Sequence, residues 1–231
     1  MFSHTINNPN NVVIKQNNKD YCVIPFGHRC ATALACKYAN IRLDSLPFDW
    51  GAFWFPNIIQ KVLENNFDNF NNFESHNNVI INKTYGVSFG HFNVNFNDGI
   101  EEYTRRINRF NDIIIKPTTK YFVYLNEDYI NKEQFRLDEF NDKIFDEMLE
   151  LESFIKEKYI NIDYNILYFN FKHHNIPANS NIINIVLHSD TFYEPNEVAP
   201  YENLRNYCGQ ILSELFNTEL TLGYHYTDFN K

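Results

Sequence analysis

The segment YCVIPFGHRCATALACKYA, residues 21–39, reads as a strand followed by a helix, and this alternation recurs along the chain. Its first part, from Tyr21 to Gly27, is a continuous apolar run that ends at a glycine, which is typical of a buried strand. Its second part, from Cys30 to Ala39, is rich in Ala and Leu and contains no helix breaker, so it predicts a helix. Cys30 therefore falls at or near the first position of a helix that follows a strand and a glycine turn.

Strands and helices continue to alternate along the chain. Helices are predicted at 57–66, 100–114, 138–159 and 202–216, and strands at 79–81, 85–96, 121–125, 164–171 and 181–188. This order predicts an α/β or α+β fold in which a central mixed sheet is flanked by helices. We expect residues 19–231 to form a single domain. Residues 1–18 are predicted to form a flexible N-terminal arm that can include an edge strand.

Composition and charge narrow the class of protein. The 231 residues are 44% hydrophobic and 17% aromatic, which argues against intrinsic disorder. The formal net charge of -9 repels phosphate backbones, so we expect no nucleic acid partner. The chain has no recognisable signal peptide and no apolar stretch long enough to span a bilayer, and its four cysteines lack the spacing of a zinc site or a disulfide framework. These features predict a soluble, cytoplasmic protein without a membrane partner or a metal.

Cys30 is the candidate nucleophile. The free N–H groups and the positive end of the dipole at a helix start both favour a thiolate there, and the adjacent His28 and Arg29 add positive potential. A thiolate at such a position is what a cysteine-dependent acyl-transfer enzyme requires. The alternative is that Cys30 is a small buried helix residue. The three other cysteines are interpreted as packing residues: Cys22, Cys36 and Cys208.

A cysteine nucleophile needs a base, and His91 is the first candidate. It lies in the middle of a predicted strand, after Gly90, and shares a strand face with Asn93 and Asn95. The alternative is an imidazole at the edge of the core that is satisfied by the backbone.

Other histidines are alternative candidates for the base. His188, just past a predicted strand and two residues before Asp190, is the rival of His91. The adjacent His173 and His174 follow another strand, and both are predicted to face solvent.

One carboxylate, Asp49, lies inside an aromatic turn between Phe48 and Trp50. An acidic residue in such surroundings is usually held by hydrogen bonds, because burying it unpaired is costly. Asp49 is therefore expected either to hold the turn or to orient a catalytic imidazole. The helix at 100–114 carries three arginines that either pair with Glu101 and Glu102 in solvent or fix a carboxylate, which is Asp49 or one on a substrate: Arg105, Arg106 and Arg109.

Four segments, in the order GHRC, LPFDW, YGVSFGH and YTRRINRF, resemble a family of uncharacterised proteins described as papain-like cysteine peptidases, with members in bacteria and large DNA viruses. The resemblance covers roughly residues 20–125. It implies Cys30 as nucleophile, at a papain-like helix N-terminus, and His91 as base. Some members carry Asp directly after this histidine, where the chain has Phe92, so the third residue is left open among Asp49, Asn93, Asn95 and Asp98.

The resemblance implies a thiol-dependent hydrolase or acyltransferase that acts on an amide, isopeptide or thioester bond of a peptide, protein or acylated substrate. Such a mechanism requires no metal or organic cofactor. Two alternatives are a catalytically inactive binding module of the same fold and an accessory protein in glycan modification.

Overall fold

The computed structural model of the protein describes residues 2–7, 14, 20–77, 79–90, 96–127, 137–189 and 198–220. The strands are β1 (Phe2–Asn7), β2 (Tyr21–Pro25), β3 (Phe73–His76), β4 (Val79–Asn82), β5 (Val87–Phe89), β6 (Thr119–Leu125), β7 (Tyr164–Asn170) and β8 (Ile182–Ser189). The helices are α1 (Cys30–Tyr38), α2 (Pro56–Glu64), α3 (Phe96–Ile114), α4 (Leu137–Lys158) and α5 (Val198–Phe216).

The main sheet has five strands in the order β1-β8-β7-β6-β2. Strands β2, β6, β7 and β8 are parallel to one another, and β1 pairs antiparallel with β8 at the edge. The carboxyl ends of the four parallel strands therefore meet at one edge of the sheet. The predicted α/β domain, with a mixed sheet flanked by helices, is confirmed.

Helices cover both faces of this sheet, because side chains alternate between the faces along each strand. In β6, Val123 and Leu125 join the core cluster of α1 and α5, whereas Phe122 and Tyr124 join the cluster of α2, α3 and α4. The strands accordingly read as continuous apolar runs, as expected for a parallel sheet buried on both sides. Among the described residues, no helix combines the length and hydropathy that crossing a bilayer requires.

The structure corrects several predicted boundaries. Residues 2–7 of the predicted arm form the edge strand β1. A second, antiparallel sheet of β3, β4 and β5 was not predicted, and β3 falls in a segment that reads as a loop. The strand predicted over 85–96 is described only at 87–89, and α3 already begins at Phe96, four residues before the predicted start.

Candidate active site

Cys30 is the first residue of α1, as predicted. The turn before it needs a glycine: Gly27 has a φ of +91°, and a Cβ at this position would lie 3.0 Å from the Cβ of Phe53. Arg29, the residue before the helix, makes no side-chain capping hydrogen bond. The first-turn N–H groups of α1 are therefore not capped by the side chain that normally fills this role.

The helix start is tied to the main sheet by Thr32. Its hydroxyl donates to the carbonyl oxygen of Gly27 and accepts the N–H of Leu125 at 3.2 Å. The N–H of Phe26, just before the turn, donates to the carbonyl oxygen of Val123 at 2.8 Å. These contacts fix Cys30 at the carboxyl edge of β2 and β6, the edge at which open α/β sheets usually bind their ligands.

A buried carboxylate lies beside Cys30. Glu127 follows β6 and its side chain is completely buried. Arg205 of α5 binds it with two nitrogens, Nε to Oε2 and Nη2 to Oε1, each at 3.2 Å, and Arg29 forms an ion pair with Oε1. Burial raises the pKa of Glu127, but Arg205 and Arg29 outweigh this effect, so the pKa lies below its usual value. Glu127 is therefore ionised at neutral pH and shared between two guanidinium groups.

The same charges act on the Cys30 thiol. Burial raises the pKa of Cys30, the positive charges of Arg205 and Arg29 lower it, and Glu127 raises it. The net shift is upward, opposite to the direction that the helix start alone predicts. Cys30 is nevertheless partly exposed, whereas Cys36 and Cys208 are buried free thiols whose pKa burial raises strongly. The interpretation of these two as packing residues agrees with their burial.

His28 and Trp54 line the inner side of this cluster. The His28 ring is buried and meets the Trp54 ring edge to face, with centroids 4.9 Å apart. The guanidinium of Arg29 lies 5.2 Å from the centroid of the same indole, a cation–π distance. The rings of His28 and Trp54 therefore lie beside the charged groups around Cys30.

Asp49 is held by the aromatic turn. Its Oδ2 accepts the N–H of Leu46 at 2.9 Å and two guanidinium nitrogens of Arg42, Nε at 3.0 Å and Nη2 at 2.5 Å. Arg42 also lies over the Trp50 ring, 5.4 Å from its centroid. Burial raises the pKa of Asp49, and Arg42 only partly offsets this effect. Its second oxygen, Oδ1, is buried and makes no hydrogen bond to a described residue.

Arg42, rather than an arginine of α3, is thus the main partner of Asp49. The solvent interpretation suits Arg105, which is exposed and lies 3.8 Å from Glu101, and Arg109, which lies 3.7 Å from Asp44. Arg106 differs, because it is buried, pairs with Glu102 and lies 4.6 Å from the Tyr103 ring centroid.

His91 lies outside the described residues, together with Asn93 and Asn95. The strand that leads to it, β5, is attached to the aromatic turn by a bridge between Phe89 and Gly51. The N–H of Ala52 in that turn donates to the carbonyl oxygen of Ser88 at 2.8 Å. The chain therefore enters residues 91–95 from a strand bound to the segment that packs on Gly27. Asp98, the last candidate for the third residue, is exposed in the first turn of α3.

The rival base, His188, lies on a strand that is not a neighbour of β2, the strand that leads to Cys30. It is exposed on β8, where its Nε2 lies 3.4 Å from the Thr5 hydroxyl of the edge strand. Three strand spacings separate β8 from β2, roughly 14 Å at about 4.8 Å each.

The prediction that His173 and His174 both face solvent is wrong for one of them. His173 is exposed, but His174 is buried and stacks on Phe145 with ring centroids 4.1 Å apart. Burial lowers the pKa of His174, although Asp142 opposes this. Within the described residues, no group of three His, Cys, Asp or Glu side chains is arranged to hold a metal ion.

Residues 21–85 match a protein family described as "Putative papain-like cysteine peptidase". The matched segment contains β2, α1 and the aromatic turn, and so both Cys30 and Asp49, but it ends before His91 and the arginine-rich helix. The family description supports a thiol hydrolase as the general function. Searches among curated proteins and among solved structures returned no match.

Sequence reasoning missed Glu127 and Arg205. A signal for Glu127 exists, since an acidic residue that directly follows a buried strand lies at the edge where parallel sheets bind ligands. Arg205 carries no such local signal, because it is 78 positions away in sequence from its carboxylate partner.

Proposed function

We propose that the protein is a thiol-dependent hydrolase or acyltransferase that acts on an amide, isopeptide or thioester bond. Cys30 is the nucleophile and His91 is the general base. The observation that carries the proposal is the position of Cys30, a partly exposed thiol at the first residue of a helix and beside two guanidinium groups. The family description of residues 21–85 supports the same class of reaction.

In the proposed reaction, the Cys30 sulfur attacks the carbonyl carbon of the substrate while His91 takes the thiol proton. A thioester between Cys30 and the acyl group forms, and the leaving amine or thiol departs with a proton returned by His91. Water then releases the acyl group as an acid, or a second nucleophile accepts it. The N–H groups at the start of α1, which the Arg29 side chain does not cap, stabilise the oxyanion.

Asp49 is the proposed orienting residue for His91, through its second oxygen. Oδ2 holds the aromatic turn, whereas the buried Oδ1 has no hydrogen bond to a described residue and is available to accept a ring N–H. The attachment of β5 to this turn supports the assignment, because β5 leads directly into residues 91–95.

The test uses 4-nitrophenyl acetate, an activated acyl donor, and follows the release of 4-nitrophenolate. We expect a burst equal to the enzyme concentration, with an acetyl group found on Cys30 by mass spectrometry. Cys30→Ala should abolish the burst, and His91→Ala should slow it by about 10²–10⁴-fold. Cys22→Ala is the matched control, because Cys22 is also partly exposed but lies in β2, with its Sγ 3.4 Å from the Thr118 hydroxyl.

A burst that survives in Cys30→Ala would refute the proposal. Absence of a burst in the folded wild-type protein would instead favour a catalytically inactive binding module. The upward shift of the Cys30 pKa, which burial causes, favours the inactive binding module, because it disfavours the thiolate.

A further inference from the structure

We propose that Arg205 is a positioning residue that stabilises the thiolate of Cys30 from across the contact between α1 and α5. This inference rests on the proposed function and deepens it. It brings helix α5, which lies outside the matched segment 21–85, into the thiol site.

The two helices approach closely because of a glycine in α5. A Cβ at Gly209 would lie 2.9 Å from the Cβ of Tyr38 and 3.3 Å from the carbonyl oxygen of Ala35. Arg205 lies four residues before Gly209, and so on the same face of α5 and one turn nearer its start. The close packing therefore turns the Arg205 side chain toward α1.

Glu127 fixes the direction of that side chain. The two hydrogen bonds of 3.2 Å from Arg205 to both carboxylate oxygens form the bidentate geometry that only a guanidinium provides. Arg29 binds the same carboxylate from the residue before Cys30. Glu127 thus binds two guanidinium groups, one from the residue before Cys30 and one from α5.

The charges around the thiol do not cancel. Arg29 and Arg205 are positive and Glu127 is negative, which leaves one positive charge beside Cys30 in a chain whose net charge is -9. The other ionisable groups nearby are His28, whose ring lines the same cluster and which also acts on Glu127, Tyr38 on α1, which responds to Cys30 and Arg205, and Glu202 on α5, which acts on Tyr38. Burial lowers the pKa of Arg205, but Glu127 and Cys30 raise it, so the pKa lies above its usual value.

Arg205 is the stronger of the two positive neighbours. Its side chain is 14% exposed, against 31% for Arg29, so solvent screens its charge less. Among the charges that act on Cys30, Arg205 has the largest effect. Burial disfavours the thiolate, and Arg205 offsets part of this cost.

The experiment measures the rate of Cys30 alkylation by iodoacetamide against pH, on the full chain, with the labelled peptide identified by mass spectrometry. Arg205→Gln should raise the midpoint of the profile by about one pH unit and slow alkylation at pH 7 about tenfold. Arg205→Met keeps the apolar stem that packs between the helices and is a second neutral variant with the same expected rise. Arg205→Lys keeps the charge and should restore most of the wild-type midpoint.

The direction of the shift separates positioning from a structural role. Because burial raises the pKa of Cys30, a variant that only loosens the packing would lower the midpoint. A rise in the neutral variants therefore supports the proposal, and an unchanged or lowered midpoint overturns it. Arg105→Gln, which removes an exposed arginine of α3, is the control and should leave the midpoint unchanged. A raised midpoint without a 4-nitrophenolate burst would keep the positioning role while refuting the proposed catalysis.

Discussion

Two carboxylates of this protein, Asp49 and Glu127, are both completely buried, yet their pKa values shift in opposite directions. Burial raises the pKa of Asp49, which has one guanidinium partner, Arg42, and one backbone N–H. The pKa of Glu127 is lowered despite burial, because Arg205 and Arg29 both bind it. At equal burial, the carboxylate that two guanidinium groups bind has a lowered pKa and the one that a single guanidinium binds has a raised pKa, and the former lies beside Cys30.

The two cysteines of α1 show the same division. Cys30, at the start, responds to Arg205, Glu127 and Arg29, whereas Cys36, further along the same helix, is buried and responds to Asp49 and Arg42. The two carboxylates therefore mark two different environments along one helix. Of these two environments, only that of Cys30, beside Glu127, combines a partly exposed thiol with an excess of positive charge.

The largest expected effect comes from Glu127→Gln. This change leaves two largely buried guanidinium groups facing each other without a counter-charge, which should lower the free energy of unfolding by about 4 kcal/mol. Urea unfolding at pH 7, followed by the fluorescence of Trp54 and Trp50, measures the loss. A loss smaller than that of Asp49→Asn would show that the second guanidinium does not matter.

A smaller loss is expected for Asp49→Asn. The amide keeps the shape of the side chain, but it removes the negative charge from the hydrogen bonds that Arg42 donates. This loss should lower the free energy of unfolding by about 2 kcal/mol. The same urea titration measures it, and Arg105→Gln serves as a control because its pair with Glu101 is exposed at 3.8 Å. If Asp49→Asn and Glu127→Gln lower the free energy of unfolding by the same amount, burial alone governs both carboxylates, and the number of guanidinium partners does not distinguish them.

Local features of the fold could be predicted from the sequence, and long-range ones could not. The strand before Gly27 follows from an apolar run and the helix that starts at Cys30 from its Ala- and Leu-rich composition. The long helix α4 follows from the helical spacing of its apolar residues. Strand β3 was missed because only the first of its four residues is buried. Its short sequence carries neither alternation nor an apolar run.

The site divides in the same way. The position of Cys30 at a helix start was predictable, because the residues that form this helix lie within ten positions of it. His174 was misjudged because its stacking on Phe145 joins a loop to α4, and the Glu127–Arg205 pair joins β6 to α5. Such contacts depend on which strands become neighbours in the sheet, and no local pattern in one sequence records this.

The smallest effect, and the sharpest test of the contrast, is the pH dependence of the two losses. Glu127 has a lowered pKa, so its contribution to stability is present above about pH 4.5 and is lost as the pH falls through the folded-state value. Asp49 has a raised pKa, so the folded state holds its proton more tightly, and that contribution is lost as the pH rises above about 3.8. The loss caused by Glu127→Gln should therefore grow with pH, while that of Asp49→Asn should shrink. Urea unfolding of wild type and both variants is measured between pH 3.5 and pH 6 in steps of ~0.5 pH unit. The slope of each variant's loss of unfolding free energy against pH is then compared. Slopes of the same sign would contradict the opposite directions of the two pKa shifts.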